Sequence, residues 1–352
     1  MHDIVKRNSV MVKQGPAAKA LTVPGLATAV PLPDPEPMRM VRFNPAFSRL
    51  LGTIGQSAVK VPSMMSMLEK RVLFTLARER YSGNGLIIDA GIFLGASTVC
   101  FGEGLRQNKV FKKTTKRWAK PIISFERAII NPGMPAFFKR NNVEGMAEPG
   151  ESFAAAVEAN IEPVADLVDL RLGDILETGQ GITSPIEILF LDVLKLPEIS
   201  RFVMRNFFPK LIPGVSIVVQ QDYFYERLPF IKTDQEFFSE YFTFIGEVCS
   251  TALFLCTKAI PESAIDQLEQ GLPPREQERL ASIAMQRSCD PARRYMMALS
   301  KVRLIKQLYG TESAQDYLRF VKNEFPEQVA SHLPRLKDAL VAIERVCADG
   351  DD

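Results

Sequence analysis

The stretch Leu86-Ile87-Ile88-Asp89-Ala90-Gly91-Ile92-Phe93-Leu94-Gly95-Ala96-Ser97-Thr98 constrains this chain more than any other. An apolar run, an acid, two glycines four apart and then small polar residues describe a buried strand that turns into a helix. In an open α/β sheet that turn is the usual nucleotide cradle. Glycine lets backbone approach a ligand where a Cβ would collide, and the helix N-terminus offers unpaired N–H groups to a carboxylate. Asp89, closing the strand, is placed to accept hydrogen bonds from an amine or hydroxyl. A dinucleotide fingerprint needs a third glycine, which neither position 93 nor 98 supplies, and a P-loop needs a Gly-Lys-Ser/Thr ending, which is absent. The same residues also suit an ordinary strand–helix turn, so the decision falls to the rest of the chain.

The run Asp89-Ala90-Gly91, three residues, Gly95, Ala96, Ser97 resembles motif I of class I S-adenosylmethionine (SAM) dependent methyltransferases, and most of all the O-methyltransferase branch with the catechol and macrocin types. The resemblance implies a Rossmann-like, doubly wound, seven-stranded α/β sheet, mostly parallel with an antiparallel edge hairpin. It also implies SAM as cofactor, held by Asp89, Gly91, Gly95 and Ser97.

Composition sets the frame for this reading. The chain has 352 residues, 46% hydrophobic and 24% charged, with a formal net charge of +2. That balance gives no global case for nucleic acid or membrane binding. Five cysteines without metal-ligand spacing read as reduced thiols of a cytoplasmic protein, and only two histidines (His2, His332) argue against zinc sites and His-based triads. Seven Lys or Arg fall between Arg106 and Lys120, which is read as a solvated connection rather than a nucleic-acid face. No run is long enough to span a bilayer.

Residues 1–60 read as an arm, partly disordered, because Pro16, Pro24, Pro31, Pro33, Pro35 and Pro37 break any packed element. Residues 61–258 read as the SAM-binding domain and 259–352 as a helical extension. The arm or the extension is the expected surface for a homo-oligomer. From about Pro62 the apolar positions Met67, Leu68, Val72, Leu73 and Leu76 mark one stripe of an amphipathic helix before the first strand. The extension has a buried stripe at Ala298, Val302, Ile305 and Tyr309, with Gly310 as C-cap.

Three further strands end in acids. Ile122–Phe125 ends in Glu126, where doubly wound sheets meet the cofactor ribose. Val168–Leu172 leads to Gly173-Asp174, which the resemblance places at the adenine amino group. Ile186–Leu191 ends in Asp192, followed three residues later by Lys195. In catechol-type enzymes that Asp binds Mg²⁺ and that Lys is the base, so Asp192 and Lys195 are the expected catalytic pair. A lysine near a cation and partly desolvated can lose its proton near neutral pH.

The turn Leu211-Ile212-Pro213-Gly214 before the next strand is also typical of this family. There the metal-dependent branch continues with Asp-Asp or Asp-Asn ligands, and this sequence departs from it. Aligned on Asp222-Tyr223, Gln221 and Asp222 replace the ligands; aligned from Pro213-Gly214, they become Gln220 and Gln221. Losing a carboxylate weakens a Mg²⁺ site. The metal set on this reading is Asp192, Asp222 and Gln221. A long polar stretch punctuated by Pro132, Pro135 and Pro149 reads as a loop over the site. The aromatic group Tyr223, Phe224, Tyr225, Phe230, Phe237, Phe238 and Tyr241 suits either an apolar acceptor pocket or plain core.

The resulting expectation is methyl transfer from SAM to a hydroxyl oxygen of a small molecule or sugar. The rival expectations are a SAM- or nucleotide-binding module without catalysis, and an NAD enzyme, which the missing third glycine opposes.

Overall fold

The computed structural model describes residues 41–43 and 50–348, apart from 115, 116, 142 and 144–147. The proline-punctuated part of the arm, Pro16 to Pro37, therefore lies outside the described residues. Eight strands form one sheet: β1 (Val41–Phe43), β2 (Leu86–Ala90), β3 (Ile122–Glu126), β4 (Val168–Leu172), β5 (Ile186–Leu191), β6 (Ile217–Gln220), β7 (Phe242–Val248) and β8 (Thr251–Cys256), in the order β1-β7-β8-β6-β5-β2-β3-β4. Strands β2 to β6 pair in parallel, while β8, β7 and β1 are antiparallel.

The chain runs outward from β2 to β3 and β4, then crosses back to β5 on the other side of β2. That reversal is the switch point beside which open α/β sheets bind their ligands. The order from β4 to β7 is that of a seven-stranded, Rossmann-like methyltransferase sheet with an antiparallel edge hairpin, as expected. Strand β1 adds an eighth, short edge strand that the sequence did not signal, pairing Val41 with Val248.

The principal helices are α1 (Met67–Glu79), α2 (Ala96–Gln107), α3 (Ala154–Ile161), α4 (Pro197–Asn206), α5 (Pro229–Phe237), α6 (Glu262–Glu269), α7 (Pro274–Met285), α8 (Pro291–Tyr309), α9 (Thr311–Glu324) and α10 (Pro334–Ala348). α1 starts with a capping box: the Ser66 hydroxyl accepts from the Glu69 N–H at 3.2 Å and the Glu69 carboxylate accepts from the Ser66 N–H at 2.8 Å. Its stripe, Val72, Leu73 and Leu76, packs with Phe101 of α2 on the sheet face that carries Ile87, Ile188 and Phe190. The opposite face, carrying Ile88, Leu189 and Val218, packs Val203 and Met204 of α4 with Tyr223 and Phe238.

The helical extension has its own core of Tyr295, Leu299, Val302, Leu318 and Ile343, but Ala284 and Met297 reach into the second sheet-face core. In the predicted stripe Ala298, Val302 and Ile305 are buried, whereas Tyr309 is exposed. Gly310 ends α8 with φ 87°, as its type suggests. Among the described residues no helix is long and apolar enough to cross a membrane.

Candidate functional site

A cleft of about 430 Å³ opens at the carboxyl ends of β2, β3, β4 and β5. The loops that follow these four strands bring together Gly91, Glu126, Asp174, Asp192 and Lys195 as lining residues. Met64, Ile129, Met134 and Leu196 line it as well, and Met64 is 70% and Leu196 50% exposed, so its rim is apolar.

The turn after β2 is built from three residues with positive φ: Gly91 at 88°, Phe93 at 52° and Gly95 at 94°. A Cβ on Gly91 would lie 2.7 Å from the Asp192 carbonyl carbon, and one on Gly95 2.6 Å from Ile161 Cγ2. The glycines are thus required by the close passage of the β5 loop and of α3, as well as by conformation. Phe93 is held in its unusual backbone state by the Glu126 carboxylate, which accepts from its N–H at 2.6 Å. Its ring packs against Phe137, Phe138 and Phe153, with centroids 5.2, 5.7 and 5.7 Å away. That aromatic cluster anchors the long polar stretch, which contributes Asn131 and Met134 to the cleft wall as a covering loop would.

Three of the expected cofactor contacts, Asp89, Gly95 and Ser97, are not among the residues that line the cleft. Asp89 shares the face of Ile87, fully buried, and accepts from Thr98 Oγ1 at 2.7 Å instead of facing the cleft. Burial pushes its carboxyl up to about 7, with the Thr98 hydroxyl opposing the rise. Ser97 is also buried, within the first turn of α2, with its hydroxyl beside the Asp89 carboxylate, whose rise it opposes as Thr98 does. Neither lines the cleft, because strand alternation and the first turn of α2 aim both into the α2–sheet layer.

Glu126 and Asp174 do reach the cleft. Besides Phe93, Glu126 accepts from the Ala128 N–H at 3.0 Å, and burial raises its carboxyl above the usual range against these two bonds. Each carboxylate oxygen keeps a further lone pair for a ligand hydroxyl. Asp174 caps the short helix Ile175–Thr178, accepting from the Leu176 N–H at 2.9 Å.

Asp192, Lys195 and Asp222 form the charged centre. Lys195 Nζ donates to Asp192 Oδ1 at 2.7 Å and to Asp222 Oδ2 at 2.6 Å, with the lysine side chain 51% exposed. Asp222 reaches this position through a left-handed backbone, φ 60°, which Asp tolerates better than most residues. Burial pushes the Asp192 carboxyl up to about 6, opposed by Lys195 and reinforced by Asp222. Burial alone would lower Lys195, but the two carboxylates outweigh it and hold the ammonium above the ordinary lysine range. Two anions thus hold Lys195 in its charged form, whereas the expectation of a lysine losing its proton near neutral pH placed a cation beside it.

The third expected metal ligand does not join this centre. Gln221 is buried on the α1 side, where its carbonyl accepts from Thr251 Oγ1 at 2.5 Å and its amide donates to Glu69 Oε1 at 3.3 Å and Ser250 Oγ at 3.5 Å. Gln220, the alternative ligand, is fully buried within the sheet, and its amide has no partner among the described residues. Among those residues no group of three or more His, Cys, Asp or Glu side chains is placed to hold a metal ion. The donors present do not fit a Mg²⁺ site, which asks for several hard oxygens in near-octahedral geometry.

The aromatic group after β6 is core, not cleft wall: Tyr223, Phe224 and Phe238 are buried in the second sheet-face core and none lines the cleft. The sequence also gave no hint of Lys232, a buried lysine on α5. Its Nζ donates to the carbonyls of Asp222, Tyr225 and Leu228 at 3.3, 2.5 and 3.1 Å, tying down the loop that carries Asp222. Burial lowers Lys232 to about 7, opposed by Asp222 and Glu226. A lysine twelve residues past the end of β6, directly after the apolar Pro229-Phe230-Ile231, is the only signal that could have found it.

No protein-family model and no curated protein matches the sequence. Among solved structures, the crystal structure of "a putative O-methyltransferase from Klebsiella pneumoniae" matches with a TM-score of 0.34 and 13% sequence identity, over 61% of this chain and 90% of that one. Strand order and connectivity, rather than that likeness, define the fold of this chain.

Proposed function

We propose that this chain is a SAM-dependent methyltransferase acting on a hydroxyl oxygen of a small molecule. One observation carries the reading: residues chosen from four separate strand ends, Gly91, Glu126, Asp174 and Asp192, line a single cleft at the switch point of the sheet. SAM bound there supplies an electrophilic methyl group on a sulfonium. Glu126 accepts hydrogen bonds from the ribose hydroxyls, and Asp174 from the adenine amino group. Asp192 and Asp222 take up the proton that the acceptor hydroxyl releases, a role open to them because Lys195 is already protonated. The apolar rim at Met64, Met134 and Leu196 excludes water and holds the acceptor, so that the protein acts chiefly by aligning two reactants.

Calorimetric titration with SAM and S-adenosylhomocysteine tests this. Micromolar binding is expected, weakened about tenfold or more by Glu126→Ala or Asp174→Ala, a loss of roughly 1.4 kcal/mol. Absence of binding by either ligand contradicts the proposal. A second reading, a SAM-binding module without catalysis, is favoured by the inward turn of Gln221. It predicts the same titration but no methyl transfer to any hydroxylated acceptor.

A further inference from the structure

We infer that the Lys195 ammonium is a tethered cation, standing between Asp192 and Asp222 where a metal-dependent relative would hold a divalent ion. The inference deepens the methyltransferase reading and rests on it for its catalytic meaning, but its geometry stands alone. One nitrogen lies within 2.7 Å of a carboxylate from the β5 loop and 2.6 Å of a carboxylate from the β6 loop. Those two loops flank the cleft, and nothing else among the described side chains bridges them at this point. Gln221, which would complete a metal set, spends its amide on Thr251, Glu69 and Ser250 instead. With Gln221 turned away, the positive charge between the Asp192 and Asp222 carboxylates is the chain's own Lys195.

This arrangement has a chemical consequence. An ammonium has three N–H donors, and two are used on the carboxylates. The third is left for the cleft, where it can donate to the acceptor oxygen and hold it beside the carboxylates that receive its proton. Because the charge is covalently attached, acceptor positioning needs no dissociable ion. The acceptor class that fits is one with a single hydroxyl or oxyanion meeting one ammonium. A catechol-like pair of oxygens, which a divalent ion chelates, has no matching second donor here.

The test is metal binding, read by Mn²⁺ electron paramagnetic resonance without SAM or acceptor. The wild-type chain is expected to leave millimolar Mn²⁺ free, whereas Lys195→Met, which keeps length and removes charge, binds it about tenfold more tightly or better. Lys195→Met combined with Asp222→Asn is expected to lose that gain. Lys195→Gln serves as a second charge-removing variant should the methionine form fail to fold, as judged by circular dichroism. Wild-type binding equal to that of the variants, or no gain on removing the ammonium, overturns the inference. Failure of the methyltransferase reading would appear separately, as absent S-adenosylhomocysteine binding whatever the metal result.

Discussion

Asp89 shows how one residue can obey the motif and still do another job. It closes its strand where a ligand acid is expected, yet its carboxyl is fully buried and bonded to Thr98. Its folded-state value of about 7 stands above the ordinary 3.8, so the folded chain keeps a proton that the unfolded chain has released. Its contribution to stability is therefore present at low pH and lost as pH rises through that window. Asp89→Asn cannot ionise and is predicted to flatten the slope, melting at least ~2 °C above wild type at pH 8 but not at pH 4. Equal pH slopes in differential scanning fluorimetry would contradict this. The places of Glu126, Asp174 and Asp192 at the cleft were legible because Glu126 and Asp192 end apolar runs and Asp174 follows an alternating strand, all at the carboxyl edge of the sheet. The direction of Gln221 was not, because it is set by Thr251 and Glu69, partners far away in sequence. The ion pair of Lys195 with Asp222 was not legible either, because it depends on the loop after the next strand.

At the scale of elements, strand ends and helix caps carry most of what can be read locally. The capping box of α1, the Asp290 cap of α8 and the Gly310 stop all follow from short-range chemistry. Helix α5 does not, since its aromatic and polar residues are placed by packing on the sheet rather than by a clean stripe. Glu187 is another such case. It sits inside the apolar strand β5, nearly fully buried, and its carboxylate accepts from the backbone of Ser82, Asn84 and Gly85 and from the Ser82 hydroxyl. One buried acid thereby fixes the loop that feeds β2. Glu187→Ala strands those donors and is predicted to cost roughly 3 kcal/mol or more in urea denaturation. A loss below about 1 kcal/mol would show that the loop holds itself.

In the whole molecule, the sheet and the helical extension share structure. Arg293 of α8 pairs with Glu247 of β7 at 3.0 Å and donates to the Cys249 carbonyl at 2.9 Å, while Arg287 pairs with Glu236 of α5 at 2.7 Å. With Ala284 and Met297 in the sheet-face core, the extension covers apolar surface that the sheet would otherwise expose. Arg293→Ala removes one partner of a buried pair, and the whole chain is predicted to lose about 3–5 kcal/mol in a single transition. Two separate calorimetric transitions in the wild type would mean instead that the extension folds independently. The seven-strand order was legible from the succession of acid-ended runs and the Pro213-Gly214 turn; the eighth strand was not, because three residues carry no period. SAM is the ligand proposed for the cleft at the switch point. A crystal structure grown with S-adenosylhomocysteine tests it most directly. The ligand is expected in this cleft, with its ribose hydroxyls on Glu126, its adenine at Asp174 and its sulfur facing Lys195 and Asp192. Ligand bound elsewhere, or a cleft left empty at saturating concentration, would contradict it.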